Sequence, residues 1–486
     1  MPDRQKILKI VVFFLCALLS GVLYFFSTGV EGIRPMVWIA PVPVLVYSIN
    51  GSRPFTIVCA FIAYFIGNLN LVPYLVKVTP LLVIIIYFIL VSSVFALTIA
   101  GFRYASRKYN NIIPAIFFAS AWTSWEFLLS LVSPHGTAFS IAYTQSDFLP
   151  FLQLASVTGL WGLIFFLLFV PASAVMVWHC RDNVFESLKI AFIPMVLFFI
   201  IFYFGFIRLH QYAHERTIHT GLAASDTSTR YFATKEKDKA IAVIRAYQKR
   251  IDLLAYEGAE IIVLPEKLIG VTSEYTKEIT GLLKQSAKKN RVYLVAGLNV
   301  SREEGDRNLA LVVSPQGTIL CDYDKRYFIP GAERGYIRGS TPGLFELNDI
   351  KSGIQICKDM DFPRWSNKYS RAGARIMFVP AWDFTVDAWL HSRMAVMRAV
   401  ENGFSLVRCA QQGYLSIIDF RGKVIAETST TGKPDALLEG YIFPGPGHTF
   451  YSRTGNWFAW MNLAFIIIIL AYPKVYIVLF KRRATG

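Results

Sequence analysis

The chain has 486 residues, of which 54% are hydrophobic and only 17% charged. That composition excludes an ordinary soluble protein and predicts a polytopic membrane protein carrying one globular domain. A net charge of +16 invites a nucleic-acid reading, but residues 211–452 hold 32 Lys+Arg against 27 Asp+Glu, and the rest 17 against 6. The excess flanks the apolar runs, and no basic block marks a nucleic-acid surface.

Eight apolar runs are predicted to span: 7–27, 35–49, 54–76, 80–102, 112–132, 152–178, 190–207 and 457–480. Most reach the ~20 residues a bilayer needs, and 35–49 is short. The first run lacks a convincing cleavage site, so it reads as an anchor rather than a signal peptide. Loop charge sets the orientation. Arg4, Lys6, Lys9, Arg53, Arg103, Arg107, Lys108, Arg181, Lys189, Lys481, Arg482 and Arg483 fall on one side, against Arg34 and Lys77 on the other. Both termini are therefore expected in the cytoplasm and the globular part on the far side. The predicted divisions are 1–210 (seven helices), 211–452 (the globular domain) and 453–486 (an eighth helix and tail). Glu126 lies inside an apolar run beside Trp122 and Trp125, where a carboxylate is functional or hydrogen-bonded in place. Ser133-Pro-His-Gly136 and Gln153…Gly159-Leu-Trp-Gly162 suggest an outer rim, the glycines permitting close packing.

Within 211–452, strands and amphipathic helices alternate, with a hairpin turn at Ser314-Pro-Gln-Gly317. This pattern predicts an α/β sandwich with a mixed sheet. Of six cysteines, Cys16, Cys59 and Cys180 lie in or beside apolar runs and Cys321, Cys357 and Cys409 in the domain. Three cannot all pair, and no Cys/His metal spacing appears, so one thiol is a candidate nucleophile and no metal or other cofactor is expected.

Three predicted strands end in an acid, a base and a thiol: Glu266, Lys325 and Cys357. Strand ends are where reactive side chains converge in α/β folds. A carboxylate there can take the thiol proton, and an ammonium can favour the thiolate and hold an oxyanion. Phe362-Pro363 after the thiol is expected to open the next helix.

Leu264-Pro265-Glu266, Tyr323-Asp324-Lys325 with Ile329-Pro330-Gly-Ala-Glu333, and Gly353-Ile-Gln-Ile-Cys357 resemble the three catalytic blocks of the nitrilase (carbon–nitrogen hydrolase) superfamily. The eight-span frame, with the domain between spans seven and eight, is similar to its apolipoprotein N-acyltransferase branch. The resemblance implies an α-helical polytopic membrane domain plus a nitrilase-like αββα sandwich. It also implies a thioester on Cys357, with Glu266 as base, Lys325 as oxyanion stabiliser and Glu333 as a further acid. A phospholipid would donate the acyl chain, and the N-terminal diacylglyceryl-cysteine of a lipoprotein would accept it, at a bacterial inner membrane. The chain is expected to act as a monomer. Lys358 and Asp359 depart from the aromatic residue and glutamate common after the family's cysteine. Lys358 is expected to lower the thiol pKa further or to meet an anionic head group, and Asp359 to fall short of the usual partner. Trp382 and His391 are expected to line the pocket, His391 in a structural role. The competing readings are a membrane-bound amidase that uses water and a non-catalytic scaffold for lipidated peptides.

Overall fold

The structure is a computed structural model and describes residues 2–30, 32–210 and 216–481. The expected boundary at 210/211 adjoins residues outside that description, and Arg482 and Arg483 lie outside it.

Among the described residues, six helices are long and apolar enough to cross a membrane: Gln5–Ser27, Arg53–Val78, Leu81–Lys108, Ile113–Val132, Leu160–His179 and Val184–Leu209. Trp457–Lys481 adds a helix after the domain. The run 35–49, expected as one span, folds instead as a 3-10 turn, Arg34–Trp38, and a nine-residue helix, Val42–Asn50. The break follows from Pro35, Pro41 and Pro43, which lack the N–H that a helix interior needs and so gather at helix starts. Nine helical residues rise only ~14 Å and cannot cross a bilayer alone. The broken run still connects the two ends of the bundle. Arg34 pairs with Asp147 (2.5 Å), which also pairs with Arg393 of the domain (2.7 Å). At the other end, Arg103 Nη2 donates to the Gly51 carbonyl (2.5 Å).

The domain strands are β1 (Ile218–Ala224), β2 (Ile261–Val263), β3 (Gly270–Thr272), β4 (Tyr293–Ser301), β5 (Arg307–Val313), β6 (Ile319–Asp324), β7 (Gly343–Leu347), β8 (Ile350–Ile354), β9 (Ile376–Trp382), β10 (Ser405–Gln411), β11 (Tyr414–Ile418), β12 (Val424–Ser429) and β13 (Ala436–Ile442). One mixed sheet runs β13-β1-β2-β4-β5-β6, with β3 added beside β4, and a second runs β12-β11-β10-β9-β8-β7. Helices Lys237–Tyr256 and Thr276–Asn290 pack their apolar stripes, including Ile244, Ile251, Ile279 and Leu283, on the first sheet. Helices Pro363–Arg371 and Ala388–Asn402 cover the second. This is the αββα sandwich that the family resemblance implies.

Helix Ala388–Asn402 is buried on almost every side, since it lies between its sheet and the membrane bundle. The Gln153–Gly162 stretch forms that seam. Leu160 N donates to Glu401 Oε1 (2.8 Å), Trp161 Nε1 to Asn456 (2.9 Å) and Gln153 Nε2 to the Arg421 carbonyl (2.8 Å). A Cβ at Gly159 would stand 2.4 Å from the Tyr451 ring, so close packing explains that glycine. A single apolar core continues from bundle to domain.

Candidate active site

Glu266 follows β2 through Leu264-Pro265, Lys325 follows β6, and Cys357 lies three residues past β8. Folding brings the first two together in the interior, where both are at most 2% exposed. Lys325 Nζ donates to Glu266 Oε1 (2.7 Å) and lies 3.2 and 3.0 Å from the two oxygens of Glu333. Burial alone would lower the lysine pKa, but Glu266 and Glu333 more than reverse this and hold it well above the ordinary value. Burial likewise opposes ionisation of Glu333, yet Lys325 and Lys267 bring its pKa down to about 2. Lys267 Nζ meets Glu333 Oε1 at 2.6 Å. Asn308, at the start of β5, donates one amide nitrogen to Glu266 Oε1 (2.6 Å) and Glu333 Oε1 (2.8 Å). The carboxylate pair is thus clamped by two ammonium groups and an amide, leaving Glu266 Oε2 without a hydrogen-bond partner among the described residues.

Cys357 opens a 3-10 turn, Cys357–Asp361, that precedes the helix expected at Phe362-Pro363. Its φ of +43° is left-handed, a conformation that costs a residue with a Cβ about 1–3 kcal/mol. Surrounding bonds hold it there. Asp359 Oδ2 accepts from Ile356 N (3.0 Å) and Tyr323 Oη (2.7 Å), and Oδ1 accepts from Arg326 N (3.0 Å) and Tyr327 N (2.8 Å). Asp359 therefore ties the thiol turn to the loop after Lys325. From the membrane side, Thr137 donates N–H (3.0 Å) and Oγ1–H (2.9 Å) to the Asp361 carbonyl. A Cβ on Gly136 would stand 2.4 Å from that oxygen, and Gly136 has φ +52°, so glycine is required at this contact.

The thiol is 7% exposed, and Sγ donates to the Trp382 carbonyl at 3.4 Å. Burial and Glu266 push its pKa well above the ordinary value, while Lys325 acts in the opposite sense. The resting sulfur is therefore protonated and needs a base. The expectation that Lys358 lowers this pKa fails. Its ammonium is 3.0 Å from Asp361 and 3.3 Å from His135 Nδ1, and the residue is only 3% exposed. Burial first, and Lys358 second, lower the His135 pKa to about 3, leaving a neutral ring that can accept from Lys358.

His391 sits among Asp387 (3.1 Å), Asp383 (3.7 Å) and Asp361 (3.9 Å). Burial opposes its charge, but the three aspartates raise its pKa to about 9. Asp383 is in turn held by Arg408 through bonds of 2.6 and 2.9 Å. This ionic cluster reaches the thiol turn through Asp361. Trp382 lines the site through its carbonyl, and its indole donates to Gln412 (3.0 Å).

Asn308 and Lys267 escaped the sequence reading. A buried asparagine opening an apolar strand was the one available signal. Between the site and the helices lies an apolar cavity of about 580 Å³, bounded by Tyr87, Trp125, Glu126 and His135 and by Pro330 and Arg334 of the Glu333 loop. Glu126 accepts from Trp122 Nε1 at 2.8 Å.

The sandwich and its buried thiol, lysine and carboxylates define an enzyme of the carbon–nitrogen hydrolase class. Family comparison agrees on both parts of the chain: the carbon-nitrogen hydrolase model matches residues 222–434, and the apolipoprotein N-acyltransferase N-terminal domain model matches 20–173. The apolipoprotein N-acyltransferase of Geobacter metallireducens is 25% identical over 507 aligned positions, covering 94% of both chains. The 2-oxoglutaramate amidase of Bacillus subtilis is 32% identical over 207 positions, 38% of this chain and 78% of the amidase. Among solved structures, an amidase of the nitrilase superfamily from Nesterenkonia is similar at 18% identity, covering 51% of this chain and 98% of that one, with a TM-score of 0.42. The chain belongs to the apolipoprotein N-acyltransferase family, the membrane branch of the nitrilase superfamily.

Proposed function

We propose that this chain N-acylates lipoproteins from a phospholipid through a thioester on Cys357. The observation that carries the reading is a thiol kept protonated by burial, in the field of a carboxylate whose one free oxygen is available for its proton. Glu266 takes the proton as sulfur attacks an ester carbonyl of the donor, and Lys325 balances the charge that develops. All three ammonium contacts already go to carboxylates, so an oxyanion would replace the longest, 3.2 Å to Glu333 Oε1. The carbon–sulfur bond forms, the carbon–oxygen ester bond breaks, and Glu266 returns its proton to the departing lysophospholipid. The α-amino group of the lipoprotein cysteine then attacks the thioester. An amide forms, the carbon–sulfur bond breaks, and the amine proton passes through Glu266 to the sulfur.

The apolar cavity beneath the Glu333 loop suits an acyl chain, and its place between helices and domain suits a donor that arrives within the bilayer. We place the domain outside the cytoplasm on the loop-charge asymmetry, with both termini inside and the chain acting as a monomer. Incubation of the purified enzyme with a phospholipid and a synthetic diacylglyceryl-lipopeptide tests the function. The expected product is the N-acylated peptide, lost in Cys357→Ala. Release of free fatty acid without peptide acylation would instead establish a hydrolase.

A further inference from the structure

A second cavity, about 990 Å³, opens at the end of the bundle remote from the domain. Apolar side chains such as Phe13, Val46 and Phe55 form part of its wall, and Lys9, Arg53, Arg103 and Arg107 complete it, from three different helices, with no carboxylate among the described residues of the lining. Loop charges that merely set topology can spread along a membrane surface, whereas these four converge on one hollow. Arg103 is the decisive member. It is 7% exposed, yet the described residues offer its guanidinium only the Gly51 carbonyl, and its Nε has no partner. Among the described residues, the charged groups acting on Arg103 are Arg107 and Arg53, both cations. A guanidinium carries five donors, and a buried one without an anion is strongly unfavourable.

We infer that this cavity is a binding site for an anionic phospholipid, whose phosphate meets Arg103, Arg53 and Arg107 and whose acyl chains lie on the apolar wall. Mixed lining selects an amphiphile over a small ion, and the uncompensated charge selects a net anion over a zwitterion. The site is independent of the acyl-transfer reading, since it lies at the opposite end of helix Leu81–Lys108 from the domain-side cavity.

Native mass spectrometry of the delipidated full-length protein, titrated with phosphatidylglycerol or phosphatidylethanolamine, tests the assignment. One phosphatidylglycerol should be retained in preference to phosphatidylethanolamine. Each cation removed should weaken it about fivefold, so Arg53→Gln/Arg107→Gln should weaken it roughly 25-fold. The double variant carries the test if Arg103→Gln does not fold. A phosphatidylglycerol held at the domain end as acyl donor would be insensitive to it, and insensitivity overturns the proposal. Equal retention of both lipids overturns it as well. Stabilisation of lipid-free protein by inorganic phosphate to the same extent would mark a small-anion site and overturn the lipid assignment.

Discussion

Glu266 and Lys325 are proposed partners whose removal should have different consequences. Glu266→Gln keeps the size and the contact with Lys325 but cannot take a proton, so acyl transfer should fall by about 10²–10⁴ while the thermal midpoint changes little. Lys325→Met removes the cation between two buried carboxylates. Breaking such a cluster from one side costs about 3–5 kcal/mol, so this variant should lose stability as well as activity. His391 gives a pH signature. Its folded pKa is raised to about 9 from an ordinary 6.5, so the stabilisation it contributes is complete below about 6.5 and is lost as pH rises through 9. The thermal midpoint should decline across that window in the parent protein, and His391→Gln should flatten the decline. A decline of the same size in the variant would remove His391 as its cause.

The 3-10 turn Cys357–Asp361 is where domain and membrane parts meet most closely, because Gly136 and Thr137 lie on the carbonyl of Asp361. Gly136→Ala should push that turn away and slow acyl transfer by about 10²-fold, with a smaller effect on unfolding of the bundle. Rates measured beside the thermal midpoint distinguish this from general unfolding. The strand ends bearing Glu266, Lys325 and Cys357 were legible because short apolar strands terminate visibly at proline, charge and turn residues. The clamp around Glu333 was legible only in part. Lys267, on the β2–β3 connection, and Asn308, in β5, reach it from 66 and 25 residues away, a proximity that local pattern does not encode. Lys358 misled for a related reason. Sequence adjacency to a thiol suggested electrostatic adjacency, but the turn aims the ammonium at Asp361 and His135 instead. Three prolines broke the run 35–49 that hydrophobicity alone presented as continuous.

At the scale of the whole molecule, a continuous apolar core and the Glu401, Asn456 and Arg421 contacts fix the domain on one end of the bundle. That arrangement brings the thiol turn next to a cavity open to the lipid-facing helices, which suits two substrates anchored in the same membrane. The expected orientation can be read by labelling. A cysteine introduced at exposed Glu303 should react with an impermeant maleimide in intact cells, and one at exposed Arg107 only after permeabilisation. The reverse pattern would put the domain in the cytoplasm. The covalent step itself is read most directly by intact-protein mass spectrometry after exposure to phospholipid alone, with no amine to complete the transfer. The mass should rise by one acyl group, at Cys357 and sensitive to hydroxylamine, and the shift should vanish in Cys357→Ala. An unmodified protein under conditions where the lipopeptide is nevertheless acylated, or an adduct that survives in Cys357→Ala, would contradict the account.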